Sequence, residues 1–103
     1  MKISFYSSGK VLGARLTGEL DHHGVPKVRE SIDQKILNGS NNLELDLTEL
    51  SFMDSSGIGL ILGRYKLISG IGGTMTIVAG NNKCINKILS MSGISRLMPI
   101  ITK

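Results

Sequence analysis

Between Leu43 and Ile68 the apolar pattern changes period. Leu43, Leu45 and Leu47 alternate with Glu44, Asp46 and Thr48, and Ile58, Ile61, Leu62, Tyr65 and Ile68 then recur at three- and four-residue spacing. Alternation describes a half-buried strand, and the longer spacing a helix with one apolar stripe. Leu60 and Leu67 lie off that stripe. A strand that feeds directly into such a helix must have it packed back on a sheet, which commits the chain to an α/β architecture. The junction is Phe52-Met53-Asp54-Ser55-Ser56-Gly57-Ile58-Gly59, so an aspartate and two hydroxyls fall at a predicted helix N-terminus beside two glycines.

The flanking sequence supports the same class. Residues 3–7 and 11–17 alternate on either side of Ser8-Gly9-Lys10, the pattern of a β-hairpin. Val25, Val28, Ile32 and Ile36 predict a helix running from an Asp21 N-cap to about Asn38, with Pro26 in its first turns and Asn38-Gly39 as its stop. Gly70-Ile71-Gly72-Gly73 ends the second helix, residues 74–79 form a fourth strand, and residues 98–101 a last one. Between them, residues 82–91 form a third helix with Ile85, Ile88 and Leu89 inward, closed by Gly93. A hairpin followed by alternating helices and strands predicts one α/β domain over residues 1–103. Its mixed β-sheet carries packed helices, and the crossovers are right-handed.

Composition narrows the function. The net charge is +4, but the twelve cations are scattered from Lys2 to Lys103, with no block longer than Arg64-Tyr65-Lys66. Nucleic-acid binders cluster such charge, and single-strand binders need aromatic platforms that four aromatic residues hardly supply. Cys84 is the only cysteine, so no internal disulfide forms. The N-terminal residues are too polar for a signal segment, and no apolar run approaches a membrane span. The expectation is a soluble cytoplasmic protein.

Three uses fit the Phe52–Gly59 junction. A serine there can cap the following helix. Gly57-Ile58-Gly59-Leu60-Ile61-Leu62-Gly63 can be read as a phosphate or dinucleotide loop. Its spacing is one residue longer than the dinucleotide fingerprint, and the acid expected about twenty residues on is missing. Finally, a phosphoserine at a helix N-terminus is electrostatically tolerated, so the site can serve as a covalent switch that leaves the fold standing.

Gly18-Glu19-Leu20-Asp21-His22-His23, with the longer run Leu50 to Lys66 through Asp54-Ser55-Ser56-Gly57, resembles the anti-sigma factor antagonists of the STAS family, in its sporulation branch. Gly72-Gly73 and Met91-Ser92-Gly93-Ile94 extend the match over nearly the whole chain. The resemblance implies a STAS fold, no catalysis by the domain itself and no cofactor. It assigns Ser55 as the serine phosphorylated by the partner, an anti-sigma factor that is an ATP-dependent serine kinase. The unphosphorylated form would bind that kinase in its ATP- or ADP-bound state and free a sporulation sigma factor. A metal-dependent serine phosphatase would restore it. Asp54 is expected to orient or cap beside Ser55, and Asp21, Ser56, Gly57, Ile58, Gly59 and Leu60 to form the docking edge. The family also closes with a C-terminal helix, and this sequence stops at Lys103, short of it. The competing reading is a STAS-type nucleotide-binding sensor or scaffold domain.

Other residues carry less. Adjacent histidines on a helix diverge by about 100°, so His22-His23 is not expected to hold a metal. Cys84 is expected to be a small buried apolar residue. No nucleophile-elbow or Ser–His–Asp pattern is present, so no independent catalytic activity is expected.

Overall fold

The computed structural model describes residues 1–103. Strands β1 (Lys2–Ser8) and β2 (Val11–Leu20) form the expected antiparallel hairpin. Helix α1 (Val25–Leu37) leads to β3 (Asn42–Met53), α2 (Ser55–Gly70) to β4 (Thr74–Ala79), and α3 (Lys83–Ser92) to β5 (Ile100–Thr102). From β2 onward the strands are parallel, and their order across the sheet follows the chain, β1-β2-β3-β4-β5. Three right-handed crossovers that each step the same way place all three helices on one face of the sheet, and neighbouring helices touch one another there. The core lies between these layers and is aliphatic. Leu45, Ile77 and Leu16 from the sheet meet Ile32, Ile61 and Leu89 from the helices.

Three local expectations are corrected. Asp21 is not the cap of α1, which begins four residues later. The Asp21 carboxylate accepts from the His23 N–H at 3.0 Å and the Gly24 N–H at 2.9 Å, closing a turn that delivers the chain to the helix. Gly24 occupies the cap position because a Cβ there would lie 2.7 Å from the Glu19 carbonyl oxygen. Strand β5 is shifted toward the C-terminus, since a 3-10 turn over Ile94–Arg96 bonds the Met98 N–H to Ile94 O and buries Met98. Cys84 is exposed rather than buried.

The inward stripe of α2 also differs from the periodic reading. It comprises Gly57, Leu60, Ile61, Arg64 and Ile68, whereas Leu62 and Leu67 face solvent. Apolar residues lie nearly all round this helix, so spacing alone does not select a face; contact with β3 and β4 does. Arg64 is buried, its Nε 3.0 Å from Asp33 Oδ1 on α1, an ion pair that ties the two helices together.

The other sheet face has no helices and is held by side chains. Tyr6 lies across Gly13, where a Cβ would run into its ring, and its hydroxyl donates to Glu44 Oε2 at 2.7 Å. The Arg15 guanidinium sits over that ring, 5.1 Å from its centre, while its Nε donates to Asp46 Oδ2 at 3.1 Å. Asp46 is only 2% exposed, and its Oδ1 accepts from the Thr48 N–H and hydroxyl. Of the outward carboxylates of β3, Asp46 therefore pairs with a cation and Glu44 with a hydroxyl.

Burial pushes the Asp46 carboxyl up, and the Thr48 bonds and Arg15 more than reverse it, so the net shift is downward. A carboxyl depressed in the folded state stabilises above its unfolded value of about 3.9, and that contribution is lost as the pH falls through the folded value. Asp46→Asn is thus expected to cost about 2 kcal/mol at pH 7, because it leaves a donor of Arg15 or Thr48 unmatched. The gap between wild type and variant in urea melts should begin to narrow below about pH 4. A gap that stays constant from pH 7 to pH 3 would contradict this account.

Candidate functional site

The junction at the C-terminal end of β3 brings the predicted residues to one end of the sheet. The Asp54 N–H donates to Leu20 O at 3.4 Å, which sets the Asp21 turn beside the start of α2. The helix cap is Asp54 rather than either serine: its Oδ1 accepts from the Ser56 N–H at 2.9 Å. Asp54 is extended, with φ −113° and ψ −170°, as an N-cap requires. Ser55 is consequently the first helical residue, and it is exposed. Its hydroxyl serves no capping role, so it can be modified without removing a bond on which the helix depends.

The predicted docking edge separates into two groups. Ser55 and Gly59 are exposed and Asp21, Asp54, Ser56 and Ile58 half-buried, so these six reach the surface, while Gly57 and Leu60 face the core. A Cβ on Gly57 would lie 2.5 Å from Met53 Cγ and 3.1 Å from Leu20 Cδ2, so this glycine lets α2 settle on the sheet. Leu60 is 3% exposed and cannot contact a partner directly, which corrects its place in the docking edge. Leu62, four residues after Ile58, is exposed on the outer face of the helix. Gly59 has open space where its Cβ would be, so folding places no demand on it.

Hydrogen bonds to the Asp21 carboxylate, foremost from Gly24 N–H, hold it below the usual carboxylate range. Asp21 therefore stays ionised on the rim. Beside it, an open cleft of about 530 Å³ is lined by Glu19, Asp21, His23, Lys27 and Ser51 among others. Two carboxylates, Lys27 and the N-cap residue of α1, Gly24, line this cleft together, and the N-terminus of α2 does not. No cluster of metal-ligating side chains is found, and no helix is long and apolar enough to cross a membrane.

Known proteins share this fold. The family model for the STAS domain matches residues 2–103. An anti-sigma F factor antagonist of Paenibacillus polymyxa is 48% identical over 91 residues, covering 87% of this chain and 77% of that protein. One from Lysinibacillus sphaericus is 40% identical over 85 residues, covering 82% of this chain and 72% of its own. Among solved structures, the anti-sigma factor antagonist SpoIIAA in its unphosphorylated form superimposes with a TM-score of 0.84 at 29% identity, over 99% of this chain and 88% of that one. Bacillus SpoIIAA in the phosphorylated form gives 0.76, also at 29% identity, covering 99% and 91%. With a single sheet covered by helices on one face and an exposed serine after the Asp54 cap, this chain belongs to the STAS domain family, among relatives that are anti-sigma factor antagonists of the SpoIIAA type.

Proposed function

We propose that this protein is an anti-sigma factor antagonist controlled by phosphorylation of Ser55. In its unmodified form it docks on an anti-sigma factor that is a serine kinase, loaded with ATP or ADP, and displaces a sporulation sigma factor. Asp21, Ser55, Ile58, Gly59 and Leu62 form the contact surface. The kinase moves the γ-phosphoryl group of ATP to Ser55 Oγ, releasing ADP, and a metal-dependent serine phosphatase later removes it. The protein acts by binding and is a substrate, not a catalyst.

The observation that carries this reading is the division of labour at the start of α2. Asp54 holds the cap, leaving the neighbouring Ser55 hydroxyl exposed and unused by the fold. A dianion at the first helical position meets the positive end of the helix dipole, so the modified chain stays folded and only the docking surface changes. That SpoIIAA has been solved both unphosphorylated and phosphorylated is in keeping with such a switch.

Incubation with the cognate kinase and ATP is expected to add a single phosphate, which mass spectrometry maps to Ser55. Modification confined to Ser56, or none at all, would defeat the assignment. Titration calorimetry with ATP and GTP separates this reading from a nucleotide-sensing domain, which would bind them at micromolar concentration without a partner.

A further inference from the structure

We propose that Phe52 is the apolar anchor by which the anti-sigma partner is held beside Ser55; this rests on the docking reading above. The register of β3 is what sets this side chain apart. Gly18 pairs with Leu50, but the next residue of β2, Glu19, pairs with Phe52, so Ser51 is an extra residue without a partner. This is a β-bulge, and it inverts the alternation that follows. In an unbulged strand with Leu50 inward, Phe52 would also point inward and Met53 outward. Here Leu50 and Met53 are both buried, and Phe52 is 44% exposed. The fold thus gives up burial of an aromatic ring and puts a methionine in its place.

The bulge is built into the structure. The Ser51 hydroxyl donates to Gly18 O at 3.1 Å, and Gly18 has the positive φ of 108° that this turn of the backbone requires. From the other side, Asn82 Nδ2 donates to Ser51 O at 3.2 Å, while Asn82 Oδ1 caps α3 by accepting from the Ile85 N–H. Two strands and a helix start converge to hold the residue that turns Phe52 outward.

Position identifies the occupant. Phe52 precedes Ser55 by three residues, so their Cα atoms are at most about 11 Å apart. The most exposed apolar side chains of the helices lie elsewhere. Leu37, Leu67, Ile71 and Met91 sit in or just after the last turns of helices, at the opposite end of the sheet. Phe52 is the one exposed phenylalanine or tyrosine of the protein, and only Met53, which is buried, and the Asp54 cap separate it in the chain from the exposed Ser55. An interface of standard size, about 800 Å² on each partner, centred on Ser55 extends as far as Phe52. Central aromatic side chains surrounded by polar contacts are the residues that dominate binding energy at such interfaces.

The test measures binding and phosphorylation of wild type, Phe52→Ala and Phe52→Leu with the purified kinase, using Leu37→Ala as a still more exposed control. Phe52→Ala should weaken binding about tenfold or more, Phe52→Leu less, and Leu37→Ala not measurably. With ATP, the loss should appear as a raised KM with kcat little changed, which a damaged phosphoacceptor would not produce. Thermal melts should be nearly unaltered, because the ring lies outside the core. If wild type is phosphorylated on Ser55 and Phe52→Ala binds equally well, the anchor is overturned and the docking reading stands. If wild type does not bind the kinase, both fall. If Phe52→Ala dissociates a dimer of this chain without changing kinase affinity, the occupant is a second copy, and the proposal is again overturned.

Discussion

Ser55→Asp is expected to weaken binding to the nucleotide-loaded kinase by about a hundredfold, whereas Ser55→Ala should bind within about threefold of wild type. For the Ser55 hydroxyl to accept a phosphoryl group, it must lie against the terminal phosphates of the bound nucleotide. A carboxylate at the same place faces those phosphates. Two unit charges about 5 Å apart at an effective dielectric constant near 20 repel by about 3 kcal/mol, which corresponds to about two powers of ten in affinity. The alanine variant removes only a hydroxyl that makes no hydrogen bond within the fold and adds no charge.

The fold itself distinguishes this from simple unfolding. An acidic residue in the first turn is favoured by the helix dipole by about 0.3–1 kcal/mol, so Ser55→Asp should melt at the same temperature as wild type or slightly higher. Calorimetric binding alongside thermal melts reads both quantities. Equal affinity of the aspartate and alanine variants would remove the electrostatic basis of the switch. An alanine variant that failed to bind would instead make the hydroxyl itself a binding group.

Gly73→Ala is expected to have the largest effect on stability, about 3 kcal/mol or more. A Cβ on Gly73 would overlap the carbonyl oxygen of Asn41, just before β3, and press on Ile68. That backbone cannot move freely. The Gly73 N–H donates to Ile68 O at 2.8 Å, and the Thr74 N–H to Asn41 O at 3.1 Å, joining the end of α2 to the start of the β3–β4 pairing. Relief of the overlap would break one or both bonds as well as local packing. For a domain of this size the loss corresponds to a drop in Tm of about 15 °C. Gly70→Ala provides the contrast, since its Cβ would meet nothing. A Gly73→Ala protein that melts within about 3 °C of wild type would show that the contact relaxes at little cost.

These glycines illustrate how much of the molecule is legible in its sequence. Gly70-Ile71-Gly72-Gly73 clearly marks the end of a helix, and α2 does end at Gly70. Gly72, with φ 77°, makes the local turn. Through it the Gly73 N–H reaches Ile68 O and the Gly72 N–H reaches Ser69 O, the paired bonds of a helix C-terminus. That Gly73 cannot be replaced follows from Asn41, a residue remote in sequence. Local pattern identifies the turn, and packing assigns the irreplaceable position.

The same boundary runs through the proposed docking surface. The strand-to-helix junction, the hairpin, the α/β class and the placement of Ser55 and Asp54 at a helix start were all written in local periodicity and residue type. Backbone hydrogen bonding makes strands and helices from short stretches of chain, and their periods are visible there. Other features depend on which face of an element meets its neighbours. Leu60 faces inward and Leu62 outward because α2, apolar nearly all round, has its orientation set by the sheet beneath it. Arg64 is buried because Asp33 of α1 lies within reach. Phe52 is exposed because one unpaired serine in β3, held by Gly18 and Asn82, shifts the alternation by a residue. For this protein, sequence by itself determined the elements, their order and the serine at the junction. The tertiary structure decided which side chains around that serine reach the surface, because the facing of each element is set by contacts between segments far apart in the chain.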